Sequence, residues 1–227
     1  MEPVAPIPGE FVYVAWEVDP RRRGPFVRPS RTRQRFIDAL APVVTELRRS
    51  DAVESVRGFE STFIAPLAGH PNYDVMLLID GEDGVGSVVD SIVAASTLKH
   101  PSLVSMAVNR IRFGDTDALG DPILLNHFTA EDSSQDVAGT WSTISEWYGS
   151  ALGVTNSTLI EFTDSQPFAV MNYASIPGPV TRFMLDQMLR PSFYRNVTGR
   201  LKKIGARPLP VFARRINWHD DRQTSRI

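Results

Sequence analysis

The chain has 227 residues, 42% hydrophobic and 22% charged, with a formal net charge of −2. This suits one large domain or two of about 100 residues each and argues against disorder. No cysteine is present, which excludes disulfides, thiolate catalysis and cysteine-ligated metals or haem. No run reaches the roughly 18 apolar residues of a membrane-spanning helix, and no basic region followed by an apolar core opens the chain, so the expected compartment is the cytoplasm.

Residues 1–10, MEPVAPIPGE, form a proline-rich lead expected to be a flexible arm. Phe11 to Val18 is β-branched and aromatic and predicts a strand. Val12, Val14, Trp16 and Val18 share one face of it, and Phe11, Tyr13, Ala15 and Glu17 the other. After an arginine-rich loop, Ser30 is a plausible N-cap for a helix to about Ser50. Phe36, Ile37, Leu40, Val43, Val44 and Leu47 recur there at helical spacing, and Pro42 should kink or split the helix. Strands are expected at 53–67, with a bend at Gly58, and at 73–80, which is nearly all apolar and so central. A short helix follows from Ser87 to about Leu98, then a strand from Ser105 to Phe113. On that strand Arg110 and Arg112 share one parity.

A polar linker at 115–121 precedes a second, similar series. It comprises a strand at 122–130, a loop EDSSQD, a helix at 137–152, a strand at 157–162, a turn at 163–167 and a strand at 168–176. The inner stripe of that helix is Val137, Trp141, Ile144, Tyr148 and Leu152. Helical segments at 180–189 and 193–204 follow, interrupted by Pro191. A last strand at 207–218 carries Pro208 and Pro210, which place it at a sheet edge. Residues 219–227 read as a flexible tail.

The order is β-α-β-β-α-β, twice, over residues 11–114 and 122–218. The expected fold is α+β: two ferredoxin-like βαββαβ repeats packed sheet to sheet, each with spatial strand order 4-1-3-2. Apolar residues of both strand parities require a cover on each face, and facing sheets supply it.

This pattern resembles the dimeric α+β barrel superfamily, here as a tandem duplication in one chain, and the resemblance spans about residues 11–218 as architecture. The superfamily includes small monooxygenases, haem-degrading oxygenases, polyketide cyclases and chlorite-dismutase-like proteins. It implies small-molecule chemistry, often without a cofactor, and it implies barrels formed between two copies. Duplication would close the barrel within one chain, so a monomer is as reasonable as a homodimer. In the haem-degrading members a first-strand Asn pairs with an iron-ligating helix His. Asn126 could mimic that Asn, but residues 180–204 contain no histidine, so no cofactor is expected and haem has no assignable proximal ligand.

Two strands echo each other: Leu125-Asn126-His127 and Met171-Asn172-Tyr173. Asparagine is unfavourable mid-strand, and a buried amide needs partners. Adjacent antiparallel strands would put Asn126 and Asn172 on one face, as substrate contacts or as structural groups. His127 and Tyr173 are the candidate catalytic groups for moving a proton. Arg110, Trp141, Tyr148 and Trp16 complete the substrate-binding candidates, each with an alternative role on the surface or in the core. His70, His100, His127 and His219 lie in separate elements with no metal spacing. The glycines at 81, 84 and 86 are not a dinucleotide fingerprint. The cluster from Arg21 to Arg35 reads as a solvated or interface patch, without a nucleic-acid module.

The expected function is a monooxygenase-like enzyme that oxygenates, cyclises or isomerises a planar, largely apolar substrate in a pocket between sheet and helices. The alternative is a non-catalytic binding or scaffold protein whose barrel is filled by side chains.

Overall fold

The computed structural model describes residues 2–67, 69–130, 137–164 and 167–218. Its centre is an antiparallel sheet of eight long strands that closes on itself. They are β1 (Glu10–Trp16), β2 (Val53–Ile64), β3 (Val75–Gly81), β4 (Leu103–Phe113), β5 (Ile123–Ala130), β6 (Ser157–Phe162), β7 (Val170–Ser175) and β8 (Ala206–Ile216). The first four neighbour one another in the order β4-β1-β3-β2, and the last four in the order β8-β5-β7-β6. Each half thus has the strand order of a ferredoxin-like unit. The two sheets do more than face each other: β2 pairs with β8 and β4 with β6, so their edges hydrogen-bond into one barrel. Closure removes the unpaired edges that two separate sheets would expose.

The two strand parities explain the layers. One parity fills the barrel with Phe11, Tyr13, Phe59, Met76, Leu125, Met171 and Tyr173, among others. The other parity faces helices. In the first half, Val12, Val14, Trp16, Leu77 and Ile79 meet α1 (Arg31–Arg49) and α2 (Val85–Ala95). In the second half, Phe128, Leu159 and Val170 meet α3 (Val137–Leu152) and the helical segment 191–203. Between them lies α4 (Val180–Met188), packed through Phe183.

Helix α1 begins where the Ser30 hydroxyl accepts from the Arg33 N–H, satisfying one orphan donor of the first turn. It runs through Pro42 rather than splitting there. Pro42 is on the exposed face, where water can take the carbonyl that proline leaves unbonded, while Val43, Val44 and Leu47 stay on the sheet. Gly58 leaves room for a ring: a Cβ there would lie 2.1 Å from the indole of Trp218.

Strand β8 corrects its expected edge position. Its proline-bearing first half pairs only with β5, Val211–Ala213 pair with both β5 and β2, and Arg214–Ile216 pair with β2. Pro208 and Pro210 lie before the point where the second neighbour joins, so neither is asked for the N–H it lacks. The seam is fastened by charge: Glu60 on β2 accepts from Arg33 of α1 (2.7 Å) and from Arg214 of β8 (2.8 Å). The tail 219–227 and the loop 131–136 lie outside the described residues.

Candidate functional site

The register of β5 and β7 places Asn172 directly opposite Asn126, with Met171 opposite His127 and Tyr173 opposite Leu125. Alternation then sends the two kinds of candidate to opposite faces. Asn126 and Asn172 look toward the helices; His127 and Tyr173 look into the barrel.

His127 is fully buried, its Nε2 lying 2.9 Å from the Tyr13 hydroxyl and its ring against Phe168. Burial pushes its pKa down to about 3, and the nearby His70 adds to this, so the imidazole is neutral. Tyr173 packs its ring on Phe59 and sends its hydroxyl to the rim of the barrel. There it donates to Asp117 (2.6 Å) and accepts from Arg215 (3.0 Å). Burial and the Asp117 carboxylate raise its pKa.

On the helix face of the second half, a cavity of about 530 Å³ separates the sheet from α3, α4 and the segment 191–203. Its floor includes Leu124, Asn126, Phe128 and Phe212; its walls include Trp141, Tyr148, Met184 and Phe193. Lys202 and Arg207 also line it. The cavity exists because residues 180–203 do not form one straight helix. Pro191 starts a new segment, Tyr194–Thr198 are π-helical, and the chain arches over the sheet.

Asn126 is 7% exposed, and its Oδ1 has no hydrogen-bond partner. A buried amide left so costs about 1–3 kcal/mol. Asn172 differs. Its Oδ1 accepts from the Ser157 hydroxyl (2.7 Å), and Ser157 Oγ in turn accepts from the Trp141 indole N–H (3.0 Å). This relay fixes the Trp141 ring as a wall. Tyr148 donates to Gln187 (2.9 Å), tying α3 to α4, and burial raises its pKa. Ser145 Oγ, also without a partner, borders a water-sized void of about 10 Å³ beneath Asn172.

Four candidates therefore meet on one side: Asn126, Trp141 and Tyr148 on the large cavity, and Asn172 just beneath. Trp16 lies under α1 in the first half, its indole donating to the Lys99 carbonyl (2.9 Å). Arg110 is on the exposed β4–β6 surface, ion-paired with Glu161. Neither is among the cavity residues. Sequence reading missed Gln187, Phe193, Lys202 and Arg207; the break at Pro191, next to a lysine and arginine cluster, was the available signal.

No protein-family model matches the sequence, and no curated protein matches it. Solved structures do. A provisionally named chlorite dismutase shares 10% identity and a TM-score of 0.48, covering 92% of this chain and 94% of its own. A provisionally named monooxygenase from Lactobacillus acidophilus gives 5% and 0.49, covering 92% and 98%. Another from Fusobacterium nucleatum gives 7% and 0.49, covering 92% and 93%. The match is remote. Activity has to be read from the cavity itself.

Among the described residues, no histidine lines the cavity, and the chain has no cysteine. Its donor set does not fit a haem held by a proximal imidazole or thiolate. Among the described residues, no three carboxylate, histidine or cysteine side chains gather as a metal site. No helix among them is long and apolar enough to cross a membrane.

Proposed function

We propose that the protein binds a flat, largely apolar small molecule between the outer face of β5 and the helices α3, α4 and 191–203. The observation that carries this is the Asn126 carbonyl oxygen, buried and unpartnered in the floor of an apolar cavity of about 530 Å³. A ligand hydroxyl, which both donates and accepts, would satisfy that amide. Trp141, Phe128 and Phe193 offer faces to a planar ring, and Lys202 with Arg207 favours an anionic edge.

The same pocket supports turnover as the finer reading: cofactor-independent oxygenation, cyclisation or isomerisation. Apolar walls strip water from a reacting carbanion or enolate, and a hydroxyl of the substrate donating to the Asn126 Oδ1 would fix its orientation. In this reading Tyr148 and Asn126 contact substrate, Asn172 positions Trp141 through Ser157, and His127 and Tyr173 act from behind the sheet by fixing β5 and β7. We further read the two halves as tandem copies of one βαββαβ unit that close a dimeric-type barrel within a single chain.

The test uses 8-anilinonaphthalene-1-sulfonate, a flat apolar anion. It should bind at one site per chain, quench tryptophan fluorescence, and lose at least about tenfold in affinity in Lys202→Glu and in Trp141→Leu. Unchanged affinity in both variants would overturn the assignment of the pocket.

A further inference from the structure

The fold gathers cationic side chains that the sequence keeps far apart. Residues 180–207 carry seven arginines and lysines against one carboxylate, Asp186. All seven cations are exposed. Residues 20–28 add four exposed arginines and no carboxylate, with Arg21 paired to Asp19 at the segment's edge (2.9 Å). These segments have a surplus of ten positive charges in a chain whose net charge is −2, so the remainder carries twelve negative.

The closure seam brings the two segments together. Arg22–Arg23 and Phe26–Val27 form a small hairpin whose Phe26 pairs with Phe63 at the end of β2. Phe63 packs on Phe212 of β8, and Phe212 on Phe183 of α4. The loop 65–74, whose one carboxylate, Asp74, is buried, is pinned where His70 meets the Pro210 carbonyl at 3.0 Å. Arg22 from one segment and Arg207 from the other both act on His70.

The same two segments expose apolar side chains. Leu189 is 77% exposed, Leu185 54%, Tyr194 54%, Phe26 47% and Met188 44%. Leu185, Met188 and Leu189 follow helical spacing on α4, and Tyr194 bonds back to the Met188 carbonyl (3.1 Å), so they make one patch.

We propose that this surface docks on an anionic lipid bilayer. Arginines and lysines would meet lipid phosphates while Leu185, Met188, Leu189 and Phe26 enter the acyl boundary. The acidic remainder of the molecule is repelled by the same bilayer and so orients it. A nucleic acid would use the charge but not the protruding aliphatic side chains. A second copy would set ten surplus positive charges against ten. The proposal goes beyond the pocket reading and stands whether or not the pocket takes a ligand. Because α4 and 191–203 also wall the cavity, docking would bring its mouth to the lipid.

The experiment is co-sedimentation of the full chain with vesicles of phosphatidylcholine alone, and with about one-third phosphatidylglycerol added. Binding should favour the anionic vesicles at least about tenfold and disappear in about 1 M salt. The double variant Arg190→Glu/Arg195→Glu should weaken it about tenfold or more. Leu185→Ser/Leu189→Ser should weaken vesicle binding but leave retention on heparin resin unchanged, with circular dichroism confirming the fold. Equal binding to both vesicles, binding unaffected by either variant, or binding of a single-stranded oligonucleotide without vesicle binding would overturn the proposal. So would a dimer abolished by the leucine variant.

Discussion

The two halves of the barrel have the same strand order and differ in what lies under their helices. In the first half the central helix-facing pair is Val14 opposite Leu77, both fully buried beneath α1 and α2. In the second half the corresponding pair is Asn126 opposite Asn172, next to the cavity. Helix α1 lays seven buried side chains on its sheet in one 19-residue run. In the second half α3 matches it as an unbroken run, but the chain after β7, the counterpart of α2, is interrupted at Pro191 and arches away. One fold can therefore carry a solid half and a hollow half, and the polar pair sits in the hollow one. An amide under a closed helix layer costs stability; an amide facing a cavity can meet a ligand.

The comparison can be broken most sharply at acid pH. His127 is neutral in the fully packed barrel with a pKa near 3, against about 6.5 unfolded. The unfolded chain therefore binds a proton first as pH falls. Stability from this group is complete above about pH 6.5 and is lost toward pH 3, at up to about 1.4 kcal/mol per pH unit. Chemical denaturation of wild type and His127→Gln across pH 7 to about 4 should show the steeper loss in wild type. Equal slopes would mean that the barrel interior is wetter than described.

Next in size is Val14→Asn, which plants an amide in the solid half. It removes apolar burial and adds an unpaired polar group, for a loss of about 3 kcal/mol in urea unfolding. Asn172→Ala should cost less, about 1–2 kcal/mol, because it removes the acceptor of Ser157 and loosens Trp141. Its readout is a broadened or shifted tryptophan emission together with the lower urea midpoint. The smallest effect, and the one of opposite sign, belongs to Asn126→Leu: a gain of about 1 kcal/mol without ligand.

Much of this arrangement was legible in the residues. The repeated pattern of apolar residue, Asn, then His or Tyr, set in a twice-repeated element order, sufficed to put Asn126 beside Asn172. Strict alternation sufficed to send His127 to the other face. What alternation cannot give is which face is hollow. Both parities of β1 and β5 are mostly apolar, so a filled interior and a filled exterior read alike. The far wall was hidden because 191–203 mixes helical and π-helical turns around polar residues, with weak periodicity. Trp16 and Arg110 each carry a core or surface reading beside the substrate one, and the chain puts one under the solid half's helices and the other in an exposed ion pair. The edge position of β8 failed because its prolines precede the residues that close the barrel.

The central claim is that Asn126 is kept for a ligand rather than for the fold. Its most direct measurement is the urea-unfolding free energy of ligand-free Asn126→Leu, read beside anilinonaphthalene sulfonate affinity in the same variant. The account predicts a more stable protein, by about 1 kcal/mol, with affinity reduced at least about fivefold. A variant less stable than wild type by that amount, with affinity intact, would contradict it.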